Sequence, residues 1–241
     1  MSPSKEELDR CEEFLTSFNQ IENKLREVLK EDERTDFSRL VTRYIDQRKS
    51  WQNDRQKLFN FANLRNALVH QRSQPYQYSA IPTEQTLTEI ERLRDRLVNP
   101  QKAIPTFERK VETLSPEKSL AWVFQRINAC DYSQFPVYGG DRFIGLLTEN
   151  GITRWLARHT VIQFTIVDCE EIFIKDLLSE EEARSNCSFI ARDTSVDEVI
   201  EQFSDNLSLE AALITQNGKE SQRLLGIATR WDILKYLQQN Q

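Results

Sequence analysis

The chain has 241 residues, of which 39% are hydrophobic and 29% charged, and a net charge of −6. This is the composition of a globular protein long enough to bury its own core. No apolar run approaches the roughly 20 residues needed to cross a bilayer, and the charged start MSPSKEELDRCEE lacks the apolar stretch of a signal peptide, so no membrane partner and a cytoplasmic location are expected. Four scattered cysteines (Cys11, Cys130, Cys169 and Cys187), with no C-x-x-C pair and only two histidines in the chain, argue against a zinc site or a disulfide framework and for buried or free thiols.

The average charge hides a local excess. Between Arg34 and Arg72 stand nine basic residues (Arg34, Arg39, Arg43, Arg48, Lys49, Arg55, Lys57, Arg65 and Arg72), opposed only by Asp36, Asp46 and Asp54. Such a run is either a solvated helix face or a surface that attracts phosphate.

All six glycines lie at Gly139 or beyond. Glycine supplies the positive φ of tight turns, so the glycine-free first 138 residues suit long helices. Leu8, Cys11, Phe14, Phe18, Ile21, Leu25 and Val28 recur at steps of three and four and form one apolar stripe on a first helix. The acidic EDERTD segment interrupts it. Phe37, Leu40, Val41, Tyr44 and Ile45 mark a second helix, and Leu58, Phe61, Ala62, Leu64 and Leu68 a third. QRSQPYQYSAIPT, with Pro75 and Pro82, breaks the pattern. A last helix carries Leu87, Ile90, Leu93 and Leu97 and ends near Asn99-Pro100. Four amphipathic helices with short loops predict a four-helix bundle over residues 1–100.

The third helix closes on Asn63-Leu-Arg65-Asn66-Ala-Leu-Val-His70. Arginine, a polar residue after it, and histidine five positions on resemble the R-x4-H signature of HEPN domains, a likeness that covers residues 5–100. The resemblance implies a HEPN-like fold and, as in many members, metal-independent RNA cleavage by Arg65, Asn66 and His70 with no catalytic cofactor. The residue types suit that chemistry. A histidine with an ordinary pKa of about 6.5 can take the 2′-hydroxyl proton or protonate the leaving 5′-oxygen. A guanidinium can stabilise the extra charge on a phosphorane, and an amide can orient the phosphate or the imidazole. Asn66 and His70, four apart, share a helix face, while Arg65 sits on the adjoining flank. Two-fold pairing with a second copy would bring two arginines and two histidines into one cleft, so a homodimer is predicted. The alternative is a non-catalytic domain that docks a protein or RNA partner, with His70 a helix-end histidine favoured by the dipole. Tyr76 and Tyr78, just after the motif, are loop candidates for a nucleotide modification; no Gly-rich phosphate loop supports a transferase.

Residues 101–110, within NPQKAIPTFERK, read as a linker. Beyond it, short apolar runs (FPVY, FIGLL, FTIV, AALI, LLGIA) alternate with helical segments, the pattern of an α/β unit. This half repeats itself. LSPEKSLAWVFQRI answers IARDTSVDEVIEQF, Phe135-Pro136-Val137 answers Ala211-Ala212-Leu213, and Gly145-Leu-Leu-Thr148 answers Gly226-Ile-Ala-Thr229. Each Gly-to-Thr run leads into a helix. Two β-α-β-β-α repeats are predicted, at 111–178 and 188–241, with a longer insertion around Ser179–Cys187.

The helix after SPEKSL, the phrase SQFPVY followed by FIGLLT, and GIATRWDIL together resemble the tandem CBS repeat over roughly residues 105–239. A helix N-terminus with its unpaired amides favours anions. A threonine hydroxyl there can bond a phosphate or sugar, and an aspartate three residues later can accept both ribose hydroxyls. The resemblance implies that Thr229 and Asp232 hold the ribose of an adenosine nucleotide (AMP, ADP, ATP or a cyclic adenine dinucleotide) as a regulatory ligand. It further implies that Arg230 contacts phosphate and that Phe189, Ile190 and Ala212 pack round the adenine. The alternative is that Thr229 and Asp232 only cap the helix. In the first repeat Gly151 stands where the aspartate should be, so one competent site is expected, or an unusual ligand at the first. His159, near the end of a repeat helix, reads as structural or surface. The chain as a whole reads as a ribonuclease under nucleotide control, or as a non-enzymatic nucleotide sensor.

Overall fold

The computed structural model describes residues 4–70, 78, 80–130, 132–160, 168–181 and 186–239, and the chain divides into two compact units, Met1–Gln101 and Lys102–Gln241. Among the described residues no helix is long and apolar enough to cross a membrane.

The first unit contains helices α1 (Lys5–Leu29), α2 (Phe37–Gln47), α3 (Arg55–His70) and α4 (Glu84–Val98). Each predicted stripe corresponds to one of them. Local chemistry sets the ends. Ser4 and Glu7 form a capping box at the start of α1, Asp36 caps α2 through the Arg39 amide, and Thr83 caps α4 through the Thr86 amide. Lys30, at φ 55°, closes α1 in the left-handed region. The stripes meet in one core, from Cys11, Phe14 and Phe18 on α1 to Ile90 and Leu93 on α4. Val28, the last member of the first stripe, is left exposed.

A 3-10 turn over Lys49–Asp54, which the periodicity does not announce, brings Trp51 into this core at 1% exposure. Asp54 beside it is also buried. Arg96 of α4 donates to Asp54 Oδ2 at 2.8 Å and to the Ser50 carbonyl at 3.0 Å, and its guanidinium lies 4.3 Å from the Trp51 ring centroid. Arg92 approaches Asp54 Oδ1 at 3.5 Å. One carboxylate thus ties α4 to the turn before α3. Of the loop tyrosines considered as modification targets, Tyr76 lies outside the described residues. Tyr78 donates its hydroxyl to the Glu12 carboxylate and packs on the core, so it does not stand free in a loop.

The second unit holds α5 (Ala103–Thr106), α6 (Leu120–Cys130), β1 (Gln134–Gly139), β2 (Arg142–Thr148), α7 (Glu149–Thr160), α8 (Ile174–Glu181), β3 (Cys187–Ala191), α9 (Val196–Asp205), β4 (Ala211–Thr215), β5 (Gly226–Thr229) and α10 (Arg230–Gln239). β3 runs parallel to β4, and β4 antiparallel to β5. The first repeat mirrors this: β1 and β2 are antiparallel, and the opening strand is reduced to a single parallel bridge between Leu114 and Val137. Leu146, Ala211, Leu213 and Ile227 form a core between the two sheets, while each sheet's other face packs on its own helices.

The two repeats exchange their leading segments. Ala103 and Ile104 donate backbone hydrogen bonds to the carbonyls of Thr194 and Arg192, at 2.8 and 3.0 Å. Ile174 and Lys175 donate in the same way to Lys118 and Pro116, at 3.0 and 3.1 Å. Each repeat is therefore entered through a strap that packs on the other. Ala103, Ile104 and Phe107 are buried in the second repeat's core, so the segment expected as a linker is part of the α/β unit. Gly226 makes room for it. A Cβ there would stand 2.2 Å from the Phe107 carbonyl oxygen, and Glu108 bridges Gly226 directly.

The internal alignment needs one correction. Phe135 pairs with Leu147, and Ala212 pairs with Ala228. With Gly145 and Gly226 aligned, Phe135 answers Ala212 and not Ala211. A one-residue slip would have turned each side chain to the wrong face. The predicted strand FTIV lies outside the described residues.

Two stability results follow. Asp54→Ala leaves Arg96 half-paired beside Trp51 and should destabilise the helical unit by about 3 kcal/mol, read by urea denaturation. Gly226→Ala drives a methyl into backbone and should cost about 2 kcal/mol or more. Gly145→Ala meets only the flexible end of Leu178, at 3.2 Å, and should cost less in the same assay.

Candidate functional site

Thr229 ends β5 and starts α10. Its hydroxyl stands 3.4 Å from the Asp232 amide, while Asp232 Oδ2 accepts from the Thr229 amide at 2.8 Å and from its hydroxyl at 2.6 Å. This is a reciprocal cap in which an aspartate takes the usual glutamate's place. The first repeat keeps half of it: Thr148 Oγ1 accepts from the Gly151 amide at 2.9 Å. Thr148 and Thr229 are thus equivalent, and Gly151 occupies the aspartate's position without a carboxylate.

A residue that sequence reasoning missed joins the cap of the second repeat. Arg109 donates from both terminal nitrogens to Asp232, Nη1 to Oδ1 at 3.1 Å and Nη2 to Oδ2 at 2.7 Å. The fork spans 123 positions of sequence. The strap that docks on Gly226 sets its place, since the Arg109 amide donates to the Leu225 carbonyl at 3.4 Å. Arg109 also lines a cleft of about 730 Å³ between the strap, the β1–β2 turn and the loop before β5. Lys110 and Arg223 add two more cations to its wall, against Glu108 and Asp141. The one available signal was the basic Arg109-Lys110 pair inside the supposed linker. Tyr138 also lines this cleft; its hydroxyl is buried without a hydrogen-bond partner, and burial raises its pKa. Burial likewise pushes the Cys187 thiol up to about 11.

The other residues expected at a nucleotide lie as follows. Arg230 turns away from Asp232 and donates to the carbonyls of Phe203 and Asn206, at 3.2 and 2.9 Å, with its guanidinium 5.5 Å from the Phe203 ring centroid. It closes the end of α9 and is not among the residues that line the cleft. Ile190 and Ala212 project into the helix-facing core. Phe189 lies on the opposite sheet face, packed with Ala211, Leu213 and Ile227, and meets Phe143 edge-on at 5.0 Å. Strand alternation separates these residues: Phe189 shares a face with Ile227 and Thr229, and Ile190 and Ala212 do not.

In the helical unit, Arg65 Nη1 approaches Asn66 Oδ1 at 3.4 Å, and Asn66 is exposed. The side chain of His70 lies outside the described residues, as does Arg72. Part of the basic stretch is already engaged. Arg43 pairs with Glu31, Lys57 with Glu89, and Arg55 lies over Phe59 while reaching Thr42. In the second unit, His159 stacks on Trp155 at 4.0 Å, with Nδ1 2.8 Å from the Trp155 carbonyl, which fits a structural part.

No curated protein matches the chain. Among solved structures it is similar to an uncharacterised conserved protein from Pyrococcus horikoshii (17% identity, 57% of this chain and 92% of that one, TM-score 0.45). It is also similar to the CBS domain pair of protein MJ0100 in complex with methylthioadenosine and S-adenosyl-L-methionine (16%, 59% and 99%, TM-score 0.44). A third is Hypoxic Response Protein I with two coordinated zinc ions (20%, 56% and 98%, TM-score 0.41). The CBS domain family model matches residues 104–158 and 174–239, together half of the chain. It covers both repeats and the straps that lead into them, and the chain belongs to the CBS domain family.

Proposed function

We propose that the chain is a sensor of adenosine nucleotides, in which the repeat pair binds ligand at Thr229 and Asp232 and the helical unit carries the output. The observation that supports this most is the Thr229–Asp232 cap standing next to a cleft that carries Arg109, Lys110 and Arg223. The Asp232 carboxylate can accept a ribose diol, and the cations can receive phosphate. The solved MJ0100 pair, which holds adenosine derivatives, adds the ligand class by analogy only. The glycine at position 151 gives the pair one ribose site of this kind. Phe189 has the right sheet face for a base contact, while Ile190, Ala212 and Arg230 act through the core.

The finer reading of the helical unit is a HEPN-type, metal-independent endoribonuclease acting as a homodimer, with Arg65, Asn66 and His70 at the phosphate. The contact between Arg65 and Asn66 at the end of α3 favours it. The second reading, a non-catalytic domain that docks a protein or RNA partner, is favoured by the pairing of Arg43 and Lys57 with acids, which weakens the stretch as a phosphate-attracting surface. In either case the ligand controls output only by binding two conformations with different affinity.

Calorimetric titration with AMP, ADP, ATP and a cyclic adenine dinucleotide tests the sensor. At least one should bind, and Asp232→Ala should weaken it about tenfold or more, the worth of hydrogen bonds to a charged acceptor. Binding unchanged by that substitution would remove Asp232 from the site. For the output, RNA decay should stop in His70→Ala; decay that continues unaltered excludes the catalytic reading.

A further inference from the structure

Both oxygens of Asp232 are engaged before any ligand arrives. Oδ2 takes the amide and hydroxyl of Thr229 and the Arg109 Nη2, and Oδ1 takes Arg109 Nη1. A carboxylate offers about four lone-pair positions. A ribose that presents two hydroxyls finds at most one open position, on Oδ1, and therefore competes with the exposed guanidinium for the other. The displaced group stays charged, because arginine does not deprotonate in proteins. Its side chain is 41% exposed and can swing, whereas its backbone is held by the Glu108–Gly226 bridge and the Leu225 carbonyl. It stays at the wall of the cleft that Lys110 and Arg223 also line.

We infer that Arg109 is a latch that makes the Asp232 site selective for adenosine bearing a 5′-phosphate. The ribose displaces the guanidinium from Asp232, and the phosphate recaptures it in the cleft. Plain adenosine makes the first exchange without the second and leaves a cation without its anion. A cationic sulfonium ligand would add positive charge beside three cations. The inference rests on the ribose-site reading of Thr229 and Asp232 and adds to it a specificity-determining residue 123 positions away in sequence.

The test is titration of the full chain with AMP and with adenosine, for wild type, Arg109→Gln and Lys110→Gln, each checked for unchanged folding by circular dichroism. Wild type should bind AMP about tenfold or more tighter than adenosine, the scale of one charge-assisted pair. Arg109→Gln should lose most of that preference and bind adenosine tighter than wild type does, because Asp232 is released. Lys110→Gln should weaken AMP without any gain for adenosine. The gain separates a latch from a mere loss of positive charge. Equal binding of AMP and adenosine by wild type, a comparison that needs no variant, overturns the latch and leaves the ribose site standing. So does an Arg109→Gln protein weakened alike for both ligands. Binding of neither ligand by wild type or by Arg109→Gln overturns the ribose reading and the latch together.

Discussion

The Phe107 carbonyl oxygen lies where a side chain at position 226 would begin, at 2.2 Å from the position of a Cβ. Only a residue without that atom lets the strap cross β5 so closely. The crossing has three consequences. It buries Ala103, Ile104 and Phe107 in the second repeat's core. It joins the start of the first repeat to the end of the second, as α8 does in the opposite direction. It also delivers Arg109 to Asp232, so the carboxylate proposed for the ribose is held by a cation from the other end of the unit. The packing of the strap and the placing of Arg109 thus share one backbone contact.

How much of this was legible in the sequence depended on the type of signal. The helical unit was readable because its apolar residues repeat at helical spacing with polar residues between them, and each stripe became a helix. The 3-10 turn at Lys49–Asp54 was not, since Trp51 and Asp54 are buried for reasons of tertiary pairing with Arg96. The repeats were visible, but the alignment of Phe135 with Ala211 was one residue off. β4 is buried on both faces, so it has no polar alternation to fix its register. Phe189 and Ile190 are neighbours on β3, so the pleat sends them to opposite faces, with Ala212 on the side of Ile190. The Thr229–Asp232 cap was local and readable. Arg109 was not, because its partner is distant in sequence and its own segment looked like a spacer.

The two units differ in how they use charge. In the helical unit Arg43 and Lys57 of the basic stretch pair with Glu31 and Glu89, and the buried carboxylate of Asp54 serves to hold α4 in place. In the repeat unit the ion pair at Asp232 is partly exposed, with Arg109 at 41% and Asp232 at 19%. Such a pair adds little to stability and can be broken by a competitor at modest cost.

Hydrogen–deuterium exchange with and without saturating AMP tests the central claim most directly. Ligand at the proposed site should slow exchange in residues 107–113 and 226–233 together, because the strap and the start of α10 close on the same molecule. Slowing confined to other segments, or none at AMP concentrations that saturate binding, would contradict a nucleotide site at Asp232.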